Sequence, residues 1–97
     1  MLVSFAMYPL DKGPHLSEYV ARITRIIINS GLQNQLTPMS TIVEGEWDEV
    51  FDLIKKCRDE LRKDSNRLSI KIWIDDKVGA TDQLRKKVES VEQKLQP

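Results

Sequence analysis

Eight residues in the last third of the chain alternate strictly between apolar and more polar side chains. Leu68, Ile70, Ile72 and Ile74 share one parity, and Ser69, Lys71, Trp73 and Asp75 share the other. A period of two is typical of a β-strand with one buried face. Since a lone strand cannot bury that face, the rest of the chain must supply partner strands and covering helices.

Three further strands and three helices are predicted from the remaining sequence. The segments are a strand over 2–9, a helix with Ser17 as its N-cap and Gly31 just beyond its end, two short strands between Asn34 and Gly45, an acidic helix start at Glu46, and a helix with Thr81 as its N-cap. Capping residues, glycine stops and acidic first turns set the helix limits. Proline 38 marks the turn between the two short strands.

Each predicted helix carries an apolar stripe at helical spacing. The stripes are Val20, Ile23, Ile26 and Ile27; then Trp47, Val50, Phe51, Ile54 and Leu61, with Cys57 completing the spacing; and Leu84, Val88, Val91 and Leu95. Such stripes pack against a sheet or another helix. We therefore expect Trp47 and Cys57 in the core, and Cys57 as a packing residue rather than a reactive thiol.

This order predicts an α+β fold. Two strand-helix-strand units in series give the ferredoxin-like βαββαβ sandwich, with a four-stranded antiparallel sheet, two helices on one face and an added C-terminal helix. The 97 residues suit one domain, residues 1–97. The second face of the sheet should carry the following side chains: Ser4, Ala6, Tyr8, Ser69, Lys71 and Trp73. The aromatic side chains on this face offer a large apolar area, which predicts that a partner subunit covers it and that the chain forms a homo-oligomer.

Composition argues against several classes of function. Fifteen basic and fifteen acidic residues cancel, which disfavours nucleic acid as a partner. No apolar run reaches the about 20 residues of a membrane span, and the N-terminus lacks a secretory pattern, so we expect no membrane association and a cytoplasmic protein. One cysteine and one loop histidine, His15, make a metal site improbable. The adjacent Asp75 and Asp76 should point to opposite faces of a strand.

Glu44 is the candidate binding residue that the strand pattern singles out. It follows Ile42 and Val43 in a predicted strand, where a charge is costly unless a partner meets it. A ligand is one such partner. The alternatives are a cross-sheet pair with Lys71 and a cap on the second helix.

The string from Leu36 to Val50, LTPMSTIVEGEWDEV, occurs together with Pro9-Leu10, Ser30-Gly31-Leu32 and the segment 72–77. In these residues the chain resembles the small thiamine-binding proteins of the UPF0045 (DUF77) family. Ser40 departs from the glycine that relatives commonly have in the hairpin turn. The resemblance implies a ferredoxin-like domain that forms dimers and dimers of dimers and binds thiamine or its hydroxymethylpyrimidine part, with no known reaction and no cofactor.

Thiamine joins a flat aminopyrimidine to a cationic thiazolium, so its site needs polar acceptors, a carboxylate and an aromatic plane. Candidate ligand-binding residues with these groups are Ser4, Tyr8, Thr37, Thr41, Glu44 and Trp73. The two threonines could equally be ordinary strand residues. Trp73 could instead anchor an oligomer, and both roles coincide if the pocket lies at a subunit boundary.

Three functional hypotheses follow. The first is a non-catalytic protein that carries, sequesters or senses thiamine or its pyrimidine. The second is a regulatory or scaffolding module whose assembly responds to a small-molecule effector. The third is an enzyme acting on a related small molecule, which the sequence disfavours because no serine lies near a histidine and acid-base work would rest on Glu44 alone.

Overall fold

Residues 1–97 are all described by a computed structural model, in which four strands and three helices alternate along the chain in the predicted order. Their bounds are β1 Leu2–Pro9, α1 Ser17–Asn29, β2 Gln33–Leu36, β3 Thr41–Glu44, α2 Trp47–Arg62, β4 Leu68–Asp75 and α3 Gln83–Leu95. The period of two over residues 68–75 therefore predicted β4 correctly.

The strands form one antiparallel sheet in the order β2-β3-β1-β4. This is the strand order of the ferredoxin-like sandwich, and the predicted α+β class is confirmed. β1 is central: its Phe5 pairs with Thr41 of β3 on one side and with Ile72 of β4 on the other. The register places every second residue of three neighbouring strands on the same face.

Helices α1 and α2 pack on one face of the sheet, here called the covered face. Its buried side chains are Val3, Phe5 and Met7 of β1, Val43 of β3, Ile23 and Ile27 of α1, and Val50, Leu53, Ile54, Cys57 and Leu61 of α2. The opposite face, here called the open face, carries the other parity, including Ser4, Ala6, Tyr8, Ile42, Glu44, Ser69, Lys71, Trp73 and Asp75. The predicted parity of β1 and β4 is thus correct.

Three predicted core positions are more exposed than expected. Trp47 is 54% exposed, because it lies on the outer side of the first turn of α2 and packs against Phe51 with ring centroids 4.6 Å apart. Leu53 is buried instead. Ile70 and Ile72 have the covered-face parity but are 37% and 40% exposed, since β4 is an edge strand that the helices only partly cover.

The helix ends differ in how they are capped. Ser17 is the first residue of α1 and makes no capping bond, so its predicted role as N-cap is wrong. The acidic start of α2 is confirmed: the Glu46 N–H donates to Oε1 of Glu49 at 3.0 Å. Gly31 has φ +80° beyond the end of α1, a conformation that glycine adopts without the cost a side chain would add.

Helix α3 stands apart from the core. It has no buried residue, and Val88, Val91 and Leu95 of its apolar stripe are all more than half exposed. The molecule measures 49 × 30 × 20 Å, and its radius of gyration is 14.8 Å, against about 12.5 Å for a compact chain of this length. The apolar stripe of α3 therefore lacks a partner within the chain.

Candidate functional site

A cavity of about 170 Å³ lies between the N-terminal part of α1, strand β1 and the turn that joins β2 to β3. We call it the hairpin cavity. It is lined by Phe5, Ala6, Met7, Tyr8, Leu16, Val20, Ile23, Leu36, Thr37, Pro38, Met39, Ser40 and Thr41. An apolar wall with a few polar groups is the usual make-up of a small-molecule site.

Thr41 is the polar residue that points to a ligand. It is only 5% exposed and pairs with Phe5 on the covered face, yet its hydroxyl makes no hydrogen bond within the chain. Every fully enclosed polar side-chain atom has a partner, so the Thr41 hydroxyl must retain access to solvent. The hairpin cavity, which Thr41 lines, provides that access.

Thr37 has a different role, because it organises the turn between β2 and β3. Its Oγ1 donates to the Ser40 carbonyl at 2.8 Å and accepts from the N–H groups of Met39 and Ser40 at 3.3 and 3.1 Å. One proton and two lone pairs are the full capacity of a hydroxyl. Thr37 would therefore contact a ligand only through its methyl group.

A shallower groove of about 370 Å³ lies on the open face beside Trp73. Trp73 is 79% exposed and pairs in register with Ser4, whose hydroxyl donates to Oγ of Ser40 at 2.8 Å. At one end of the groove, Lys87 of α3 forms an ion pair with Asp75. The hydrogen bond and the charge of Lys87 hold the pKa of the Asp75 carboxyl below its usual value.

Glu44 holds the start of α3. The backbone N–H groups of Gln83 and Leu84 donate to its Oε2 and Oε1, each at 2.9 Å. Thr81 is not the N-cap of this helix, because Asp82, with φ 54°, occupies the N-cap position directly before Gln83. A carboxylate at a helix N-terminus satisfies free N–H groups and meets the positive end of the dipole.

The predicted alternatives for Glu44 are both wrong in detail. It does not pair with Lys71, which lies opposite Ala6 on the far side of β1. It caps α3 rather than α2, whose first turn is closed by its own Glu49. The carboxylate oxygens keep further lone pairs, so ligand binding by Glu44 stays a prediction.

Comparison with known proteins places the chain. The family model described as thiamine-binding protein matches residues 3–92. The chain belongs to this thiamine-binding protein family. It is 34% identical over 96 residues to a UPF0045 protein of Mycobacterium bovis, covering 98% of this chain and 94% of the relative. It is 35% identical to the UPF0045 protein YqgV of Bacillus subtilis, covering 87% and 86%. The UPF0045 (DUF77) resemblance is thus confirmed.

Two solved structures of similar length share the fold of this chain. A hypothetical protein of Methanocaldococcus jannaschii superposes with a TM-score of 0.86 at 22% identity, covering 95% of each chain. A Thermotoga maritima protein described as a candidate for thiamine biosynthesis or salvage superposes with a TM-score of 0.80 at 28% identity, covering 93% of this chain and 96% of that one.

In this member of the thiamine-binding family, the six predicted site residues do not meet in one pocket. Thr37 and Thr41 line the hairpin cavity, whereas Ser4 and Trp73 face the open-face groove. Tyr8 belongs to the cavity lining but has open-face parity, opposite Ser69. Glu44 pairs with Leu2, and the six residue-to-residue steps along β1 from Leu2 to Tyr8 span about 20 Å.

One wall of the cavity is formed by Val20 and Ile23 of the predicted α1 stripe and by Leu16, which precedes the helix. The sequence pattern predicted the stripe but not its place beside a cavity. Leu16 was missed, although it lies four residues before Val20 and so continues the helical spacing one turn upstream.

Other reactive side chains are not among the residues that line the cavity. Cys57 is fully buried in the core, as predicted, and burial raises the pKa of its thiol to about 12. His15 is exposed in the loop before α1, which confirms the predicted surface position. No cluster of three histidine, cysteine or acidic side chains that could hold a metal ion is found. None of the three helices has the length and apolar character needed to cross a membrane.

Proposed function

We propose that the chain binds thiamine or its hydroxymethylpyrimidine moiety without transforming it, as one ferredoxin-like domain over residues 1–97. Membership of the thiamine-binding family supports this. The observation that carries the proposal is Thr41, a residue that is 5% exposed, that lines the hairpin cavity and whose hydroxyl has no hydrogen-bond partner within the chain. Since the cavity gives this hydroxyl its access to water, a ligand that fills the cavity must replace the hydrogen bond that water makes there.

The cavity suits the aminopyrimidine ring. A threonine hydroxyl can donate to a ring nitrogen and accept from an amino group. Apolar side chains, including Phe5 and Val20, line the cavity around it. Since its volume of about 170 Å³ is below the ~300–1,000 Å³ of sites for drug-sized ligands, one ring fits inside and the remainder of thiamine extends towards the mouth.

The residues of the cavity favour binding over catalysis. They include hydroxyl groups but no histidine, cysteine or carboxylate. Acyl, glycosyl or proton transfer needs an activated nucleophile or a general base within hydrogen-bond reach. A carrier, sequestering or sensing role is the reading that this chemistry supports.

We further propose that the chain acts as a homo-oligomer, in which a second copy covers the open face. The support is the exposed Trp73 together with the unpartnered stripe of α3. Ser4, Tyr8, Glu44 and Trp73 are then candidate contacts for a part of the ligand that reaches a subunit boundary. If ligand shifts the assembly, a regulatory role merges with the binding role, and sedimentation with and without thiamine measures that shift.

The test is calorimetry with thiamine and with hydroxymethylpyrimidine on wild type and Thr41→Val. Valine keeps the shape of threonine and removes the hydroxyl, so we expect affinity to fall about tenfold for the loss of one hydrogen bond. Thr81→Val is the matched control, because Thr81 is exposed and outside the cavity. Circular dichroism checks that both variants fold.

Absence of heat and of any thermal shift at millimolar ligand would contradict the proposed function. Binding that survives Thr41→Val but disappears in Trp73→Ala would move the site to the open face. Turnover of a thiamine analogue by wild type would replace binding with catalysis.

A further inference from the structure

None of the 13 residues that line the hairpin cavity is charged, although charged residues make up 31% of the chain. At the average composition, about four charges would be expected among them. The polar groups of the lining are hydroxyls and backbone groups, which are uncharged. The cavity therefore offers hydrogen bonds without a counter-charge.

The nearby helix end does not supply a positive charge either. Free N–H groups in the first turn of a helix attract anions. At this end of α1, however, the lining residues are Leu16, which precedes the helix, and Val20, while residues 17–19 are outside the lining. Glu18 stands in the same turn and adds a negative charge.

On the basis of the proposed function, we infer that the hairpin cavity selects an uncharged aminopyrimidine-type ring and rejects its phosphate ester. An ionised phosphate in this cavity would lose water and gain no cation, a cost that an apolar lining cannot offset. The thiazolium cation likewise finds no carboxylate among the lining residues. The positively charged half of thiamine should therefore add little affinity at this site.

The experiment compares four ligands on the wild-type chain by calorimetry: hydroxymethylpyrimidine, its monophosphate, thiamine and thiamine pyrophosphate. We expect hydroxymethylpyrimidine to bind at least as tightly as thiamine, and its monophosphate to bind at least tenfold more weakly. Thr41→Val should weaken hydroxymethylpyrimidine binding and so place the ring in the cavity.

A charge added to the wall of the hairpin cavity tests whether its uncharged lining causes the rejection of the phosphate ester. Leu36 lines the cavity and is 57% exposed, so Leu36→Lys puts an ammonium group at the mouth with little loss of packing. We expect this variant to raise the affinity for the monophosphate relative to hydroxymethylpyrimidine by about tenfold. Leu10→Lys is the matched control, because Leu10 is 49% exposed and lies outside the lining.

The outcomes distinguish failure of the proposed function from failure of the charge selection. If none of the four ligands binds, the proposed function fails and the inference falls with it. If thiamine binds over tenfold more tightly than hydroxymethylpyrimidine, or the monophosphate binds as tightly as the free alcohol, the proposed function stands and the charge selection is overturned. An equal response of the Leu36→Lys and Leu10→Lys variants also overturns it.

Discussion

The two faces of the sheet are built from the same strands but are held by different forces. On the covered face, Val3, Phe5 and Met7 are at most 2% exposed, under two helices that share one apolar core. On the open face, Trp73 is 79% exposed, and α3 is attached by a carboxylate cap and an ion pair. Burial of apolar area therefore stabilises one layer, whereas a few polar contacts position the other.

The largest expected effect is on the covered face. Phe5→Ala removes a ring that is 1% exposed at the centre of the core. We expect the free energy of unfolding to fall by about 3–5 kcal/mol, because the cavity left behind adds to the lost burial. Urea unfolding at several protein concentrations measures it. The loss should be the same at each concentration.

Trp73→Ala is the matched aromatic truncation on the open face. It should change the stability of a single copy by no more than about 0.5 kcal/mol, because the ring is largely in water. If a second copy covers Trp73, the wild-type midpoint rises with protein concentration and this variant loses that dependence. A loss as large as that of Phe5→Ala in dilute protein would remove the distinction between the faces.

An intermediate effect is expected at the attachment of α3. Glu44→Gln removes the charge and one acceptor oxygen from the N-terminus of that helix. We expect a loss of about 1 kcal/mol, confined to α3. Hydrogen exchange of the Gln83 and Leu84 amides measures it. Glu92→Gln, an exposed position in the same helix, is the control. Equal loss of protection in β1 would show that α3 and the core unfold together.

The difference between the faces also explains what could be predicted from the sequence. The alternation of Phe5 with Ser4, and of Ile72 with Trp73, predicted the sheet and its two faces because side-chain period and burial are local properties. The capping of α3 by Glu44 was not predictable, since Gln83 and Leu84 follow Glu44 by 39 and 40 positions in the sequence. The local pattern favoured Thr81 instead. The hairpin cavity depends on how α1 crosses the sheet, which no local pattern specifies.

The smallest expected effect is a response of α3 to acid. The pKa of Asp75 is lowered chiefly by its hydrogen bond to Lys87, and Arg85 lowers that of Asp82 in the same way. A lowered carboxyl pKa stabilises the folded state above the unfolded value of about 3.9, and this contribution is lost as pH falls through the folded value. Cys57, the buried thiol of the core, stays protonated throughout that range.

The pKa values of Asp11, Asp59 and Glu60, on α2 and in the loop after β1, are also lowered. The apolar core beneath them does not titrate in this range, so acid should loosen α3 before it loosens the core. Hydrogen exchange from pH 5 to 2.5, corrected for intrinsic rates, should show α3 amides losing protection while β1 amides keep theirs. Asp75→Asn removes the ion pair and should flatten the acid step in α3. Asp76→Asn changes an exposed neighbour that forms no ion pair and should leave the step unchanged. A step that is identical in both variants would mean that the contact between α3 and β4 contributes nothing to holding this helix on the open face.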